Sequence, residues 1–188
     1  MVYKKVCSLS FLLLLFSILP VKAEDSLRLR VFDEPAGKEW WQRSEFLAAG
    51  SVIREIPAHQ IDSTWHYASE FVKNAIPSEL LYNNGKDIMD EAGITFSRYG
   101  DFNSDGAEDL ALVGIYEDCN LQAGSFFLIL TRNKSGKWHV SFLKLLGEPK
   151  FAAISAKGAV EVKFCIKCEG GARLQWNSQT REYTLKTE

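Results

Sequence analysis

From residue 94 onward the hydrophobic positions recur at short intervals and with a period near two. Residues 159–166 (AVEVKFCI) set Val160, Val162, Phe164 and Ile166 on one face and Glu161, Lys163 and Cys165 on the other. That is the spacing of a half-buried strand. Residues 110–116 (LALVGIY) and 125–131 (SFFLILT) are apolar almost throughout, which predicts strands in the middle of a sheet. Residues 94–99, 138–146 (WHVSFLKLL), 173–176 and 182–185 add further extended segments. Asn133-Lys134-Ser135-Gly136, Glu169-Gly170-Gly171 and residues 177–181 supply turns between them. Short strands at short intervals predict an antiparallel β-meander over residues 94–188.

The N-terminal part reads differently. Residues 27–32 (LRLRVF) alternate apolar and basic side chains and predict a short strand with one wet face. Residues 40–56 mix aromatic and charged side chains around Gly50 and favour no single element. Ile61, Trp65, Ala68, Val72 and Ile76 recur at steps of four and three. This spacing predicts one amphipathic helix, with Asp62 or Ser63 as its N-cap and Pro77 just past its end. Trp65 and Val72 then read as core packing, and His66 beside the stripe reads as solvated or hydrogen-bonded rather than as a ligand. Tyr82-Asn83-Asn84-Gly85 is a turn signal. The expected fold class is α+β, an N-terminal helical segment packed on an antiparallel β-meander.

The first 23 residues form a separate unit. Lys4 and Lys5 precede an apolar run over residues 8–20, and Val21-Lys22-Ala23 places small side chains at −3 and −1 of a cleavage site. This is the layout of a secretory signal peptide, with an uncleaved anchor as the alternative. The run is short for a membrane span, and no later segment reaches about 18 apolar residues. Cys7 precedes the run and leaves with the leader. The expected organisation is a signal peptide over 1–23 and one domain over 24–188, exported to the periplasm or secreted. The leader holds three of the chain's 22 lysines and arginines and none of its 24 acids, so the mature chain carries 19 bases against 24 acids, a net charge of −5. That balance gives no reason to expect nucleic acid or an anionic membrane as a partner.

The most specific stretch is residues 101–110, DFNSDGAEDL. Calcium takes six to eight hard oxygen ligands, and a tight loop supplies several only when alternate side chains converge around a residue that permits a sharp bend. Asp101, Asn103 and Asp105 occupy positions 1, 3 and 5, Gly106 position 6, Ala107 position 7 with its carbonyl, and Asp109 position 9. An EF-hand requires a glutamate at position 12 and flanking helices. Position 12 is Leu112, within an apolar strand. The reading is a strand–loop–strand calcium site, and Asx-turns without metal are its alternative. No His or Cys lies within the loop to suit a redox or Lewis-acid metal.

Tyr99-Gly100-Asp101-Phe102-Asn103-Ser104-Asp105-Gly106, followed by Asp109-Leu110-Ala111, resembles the calcium loop of FG-GAP/VCBS-type repeats, the β-propeller blades of integrin α-subunits and many bacterial exported proteins. The resemblance covers about residues 97–131. It implies calcium held by Asp101, Asn103, Asp105, the Ala107 carbonyl and Asp109. A propeller needs at least about four blades, and this chain has a single copy of the loop. The resemblance therefore implies the loop and its hairpin, not the propeller.

Export favours a disulfide among the three cysteines that remain, Cys119, Cys165 and Cys168. The expected crosslink runs from Cys119 to Cys165 or Cys168. Cys165-Ile166-Lys167-Cys168 also permits a thiol oxidoreductase, although no helix pattern follows to lower a thiolate pKa. A zinc site of three cysteines with His139 has only one C-x-x-C pair behind it. No nucleophile–base arrangement stands out. The expected function is a non-enzymatic, calcium-stabilised exported domain that binds a protein or glycan partner or serves the envelope. A periplasmic thiol oxidoreductase and an inhibitor or immunity-type partner are the alternatives.

Overall fold

The computed structural model describes residues 27–32, 38–168 and 170–187. The signal peptide, Cys7 and Glu169 of the predicted turn lie outside the described residues. The early strands are β1 (Leu27–Val31), β2 (Ser44–Ala48), β3 (Val52–Ile53), β4 (Ile56–Pro57) and β5 (Trp65–Glu70). Then come β6 (Tyr82–Asn83), β7 (Lys86–Asp87), β8 (Ile94–Thr95), β9 (Ser97–Gly100) and β10 (Asp109–Asp118). β11 (Ala123–Arg132), β12 (Trp138–Gly147), β13 (Ala153–Ser155), β14 (Glu161–Lys163), β15 (Ala172–Asn177) and β16 (Glu182–Thr187) complete the series. The α-helices are single turns: α1 (Ala58–Ile61), α2 (Ser78–Leu81) and α3 (Ile88–Glu91).

Two five-stranded antiparallel sheets carry the fold. The first runs β12-β11-β10-β5, with β9 also paired to β10, and the second runs β16-β15-β14-β13-β8. Seven consecutive residues at the start of β10 are buried, because both faces of that strand are covered. Ala111 and Val113, opposite Ile129 and Phe127 of β11, face the main core shared with Ile154, Val162 and Tyr183 of the second sheet. Leu110 and Leu112, opposite Leu130 and Leu128, face a smaller cluster closed by Ile53, Ile56, Ile61 and Trp65. Phe96, at the step from β8 to β9, joins the sheets; its carbonyl accepts from Val113 N–H at 3.1 Å.

The α+β expectation is overturned. Strands hold 50% of the described residues and helices 12%, so no helical layer exists among them on which a sheet could rest. The predicted helix through Ile61, Trp65, Ala68, Val72 and Ile76 breaks into α1, strand β5 and a 3-10 turn at Lys73–Ala75. The misleading three-residue step from Trp65 to Ala68 has a definite cause. In the pairing with β10, Asp118 faces Trp65 and Glu117 faces Tyr67, so His66 is the extra residue of a β-bulge. A bulge adds one residue and thereby turns an alternating strand into an i, i+3 repeat. Trp65 is 3% exposed and stacks on Tyr116 at 4.8 Å between ring centroids. Asp62 caps no helix start; its carboxylate accepts from the Thr64 amide and hydroxyl in a local turn.

The strands predicted after residue 94 are present, with adjusted ends. The 94–99 segment divides into β8 and β9. The alternating stretch 159–166 is extended only at β14, and it bends afterwards. Val160, Val162 and Ile166 are buried as the period requires, but Phe164 is 50% exposed. No helix among the described residues is long and apolar enough to cross a membrane.

Gly114 faces Phe126 on one side and Glu70 on the other. A Cβ there would stand 2.3 Å from the Ser69 carbonyl oxygen and 2.5 Å from the Phe126 ring. Gly114→Ala is expected to cost about 1–3 kcal/mol as overpacking. The check is a lower urea midpoint at unchanged m-value.

Candidate functional site

The loop between β9 and β10 lies at one end of the first sheet, where Gly100 pairs with Asp109. Its backbone folds around its own acidic side chains. The Asp101 carboxylate accepts from the amides of Asp105 at 3.1 Å and Gly106 at 3.0 Å. Asn103 Oδ1 accepts from the Asp105 amide at 3.0 Å, and Asp105 Oδ1 accepts from the Ala107 amide at 2.8 Å. Asn103 Nδ2 donates to Asp105 Oδ2 at 2.9 Å. Two left-handed residues allow the wrap, Ser104 at φ 60° and Gly106 at φ 82°. Glycine fits the second without strain.

Hydrogen bonds thus join Asp101, Asn103 and Asp105 in one wrap that ends at Ala107, and Asn103 and Asp105, each accepting from the amide two residues on, form the Asx-turns named as the alternative. Asp109 has a different place. It is fully buried, and a buried carboxylate must be satisfied by donors. Three donors reach it. The Thr131 hydroxyl donates to Oδ1, while the Phe102 amide at 2.9 Å and the Tyr183 hydroxyl at 3.0 Å donate to Oδ2. Thr131 is its direct cross-strand partner on β11, and Tyr183 comes from β16 of the other sheet. Asp109 therefore ties the loop to both sheets.

The donor chemistry fits a hard cation. The wrap offers carboxylate, amide and carbonyl oxygens and no nitrogen or sulfur acceptor. Each carboxylate oxygen has lone pairs beyond those used by one amide. Among the described residues no three His, Cys, Asp or Glu side chains are grouped to hold a metal. The oxygen set consequently needs Asn103 and the Ala107 carbonyl beside Asp101 and Asp105. The acidic field extends inward as well. Burial, then the Asp109 charge and hydrogen bond, then Asp105 and Asp101, hold the Tyr183 phenol far above its ordinary pKa.

Sequence reasoning did not find Thr131, Ser141 or Tyr183. Ser141 donates to Thr131 at 2.7 Å, which extends the hydroxyl chain outward from Asp109. Tyr183 is 74 residues from Asp109, and no local pattern announces such a contact. Thr131 carried a faint signal, since pairing of the two apolar strands sets it opposite the acid that begins the first.

The cysteines differ from expectation. Cys165 and Cys168 pair with each other at disulfide distance, with Cα atoms 5.5 Å apart, and Cys119 is free and exposed. The predicted bridge from Cys119 does not form because the thiols sit against different parts of the fold. Cys119 follows β10, where its amide donates to the Thr64 carbonyl, whereas Cys165 packs on the main core. His139 is exposed on β12 and its ring lies 3.4 Å from Ser141 Oγ. No family model matches the chain, and the comparisons with curated proteins and with solved structures also found no match.

Tyr183→Phe leaves Asp109 with one donor fewer and is expected to cost about 1–3 kcal/mol. The raised phenol pKa also has a sign. The folded state holds the proton more tightly than the unfolded state, so this stabilisation is complete below about pH 10 and falls as pH rises further. Unfolding measured across the alkaline range is expected to show a shallower loss in Tyr183→Phe than in the parent chain. Equal slopes would remove the link. For the cysteines, mass spectrometry after alkylation is expected to show one label on Cys119 without reductant and three after reduction. Labelling of Cys165 or Cys168 before reduction would contradict the pairing.

Proposed function

We propose that the chain is an exported, non-enzymatic domain in which calcium, held by Asp101, Asn103, Asp105 and the Ala107 carbonyl, clips the loop between β9 and β10 to the sheets. The observation that carries this reading is the buried Asp109, which binds the loop through Phe102 and the two sheets through Thr131 and Tyr183. A cation that orders the wrap also orders the chain entering this node, so its binding energy becomes folding energy. Asp109, with its oxygens taken by Thr131, Phe102 and Tyr183, anchors the loop to the sheets rather than joining the wrap. The leader pattern supports export, and the resemblance of the loop to FG-GAP/VCBS-type repeats supports calcium. The partner is a protein or a glycan outside the chain.

A thiol oxidoreductase is the second reading, favoured by the Cys165–Cys168 pair. It has little physical support. The pair is followed by β15 rather than by a helix whose N-terminus would lower a thiolate pKa. Turnover in an insulin-reduction assay, lost in Cys165→Ser, would establish it over the calcium reading.

Extracellular calcium modules bind at roughly 10⁻⁴ to 10⁻³ M. At millimolar calcium this corresponds to about 0.4–1.4 kcal/mol of added stability, or roughly 1–5 °C in Tm for a domain of this size. Calorimetry is expected to show that drop on adding EGTA. Asp105→Ala is expected to melt lower in calcium and to show no response to EGTA. An unchanged parent Tm, with no bound metal by elemental analysis, would remove calcium from the reading.

A further inference from the structure

We infer that the cleft beside the oxygen-rich loop is a saccharide-binding site, an inference that rests on the calcium reading for the ordering of one of its walls. The cleft has a volume of about 440 Å³, a size suited to a small ligand. The loop contributes Asp105, the first sheet Thr131, His139 and Ser141, and the second sheet with its last hairpin Trp176 and Arg181. The lining residues without a polar side-chain group are Ala107 and Val140. A lipid or other apolar ligand would leave the remaining polar groups unpaired, which costs more than its burial returns.

The hydroxyl wall is specifically oriented. In the β11–β12 pairing, Leu130 faces Val140 and Ile129 faces Phe142. Ser141 is therefore the extra residue of a bulge, a device that re-aims a side chain. Its hydroxyl donates to Thr131 at 2.7 Å, and Thr131 donates to buried Asp109. With its proton committed inward, Ser141 Oγ presents lone pairs to a donor in the cleft. The His139 ring, 3.4 Å away, can serve a second hydroxyl from either of its tautomers. Chains of hydrogen bonds polarise one another, so a buried carboxylate at the inner end strengthens the acceptor at the outer end. A ligand rich in hydroxyl donors matches this wall.

Trp176 supplies the complementary feature. It is half-buried, its ring packs on Tyr183 at 4.7 Å between centroids, and it lines the cleft. A pyranose carries hydroxyls around its edge and C–H groups on its faces, so one molecule can meet both the aromatic ring and the hydroxyl wall. The charges are mixed. Asp105, Lys134 and Arg181 all line the cleft, and Arg132 is already bound to Glu108 at 2.8 Å. Neither a polyanion nor a polycation is selected by such a lining. Calcium enters through the chain's own residues, because Asn103 and Asp105 of the wrap are also cleft residues.

The test uses the mature protein on an array of neutral oligosaccharides, with uronic-acid oligomers as the charged comparison, in millimolar calcium and in EGTA. At least one saccharide class is expected to be retained in calcium and weakened in EGTA. Ser141→Ala and Trp176→Phe are each expected to weaken retention about tenfold or more, while the EGTA-dependent change in Tm persists in both variants and so reports that they are folded. A normal calcium response with no saccharide retained would overturn the inference and leave the calcium reading standing. Retention equal in parent and both variants would also overturn it. Retention that is indifferent to EGTA, with no calcium effect on Tm, would refute the calcium reading while still supporting the cleft.

Discussion

A single carboxylate, the one charged side chain buried among the described residues, ties this fold together. Asp109 begins β10 and is removed from solvent. An ionised group in that position is tolerated only with donors on its oxygens. The donors come from the loop behind it, from the next strand and from the last strand of the other sheet. Removing any one of them leaves the charge partly unsatisfied, and this asymmetry makes such nodes demanding. The loop, the hairpin and the second sheet are thus mutually required, although the segments lie far apart along the chain.

Around this node the apolar core is built in two parts by one strand. β10 sends alternate residues to opposite faces and both faces are covered. Ala111, Val113 and Ile115 meet the core between the sheets, while Leu110 and Leu112 meet the cluster around Trp65. Gly114 belongs to the second face, where the Phe126 ring occupies the space a side chain would need. The edge strand β12 is long, yet it carries two irregularities in its pairing with β11. Bulges of this kind protect an edge from adding further strands, and the one at Ser141 also turns a hydroxyl toward the Asp109 network.

The two chemically suggestive motifs behave differently in three dimensions. The oxygen-rich loop is coupled to the core, so a ligand there can act on the whole domain. The C-x-x-C pair closes a loop of a few residues between β14 and β15. Its effect is local, because a short closed loop constrains little of the unfolded chain.

The sequence by itself determined the meander of β10, β11 and β12, the turns between them and the wrap of residues 101–107, since each depends on neighbours within a few positions. Period two in a strand and alternate oxygens around Gly106 are local rules. It misread residues 61–76 because a bulge at His66 imitates the helical step, and bulges are created by pairing with a partner strand that the local pattern does not contain. It missed Tyr183 for the same reason, whereas the Cys165–Cys168 pair is local, three residues apart, and was passed over in favour of a bridge from Cys119. Which side chain satisfies a buried charge is decided only when sheets pack against each other, through contacts whose sequence separation carries no periodic signal.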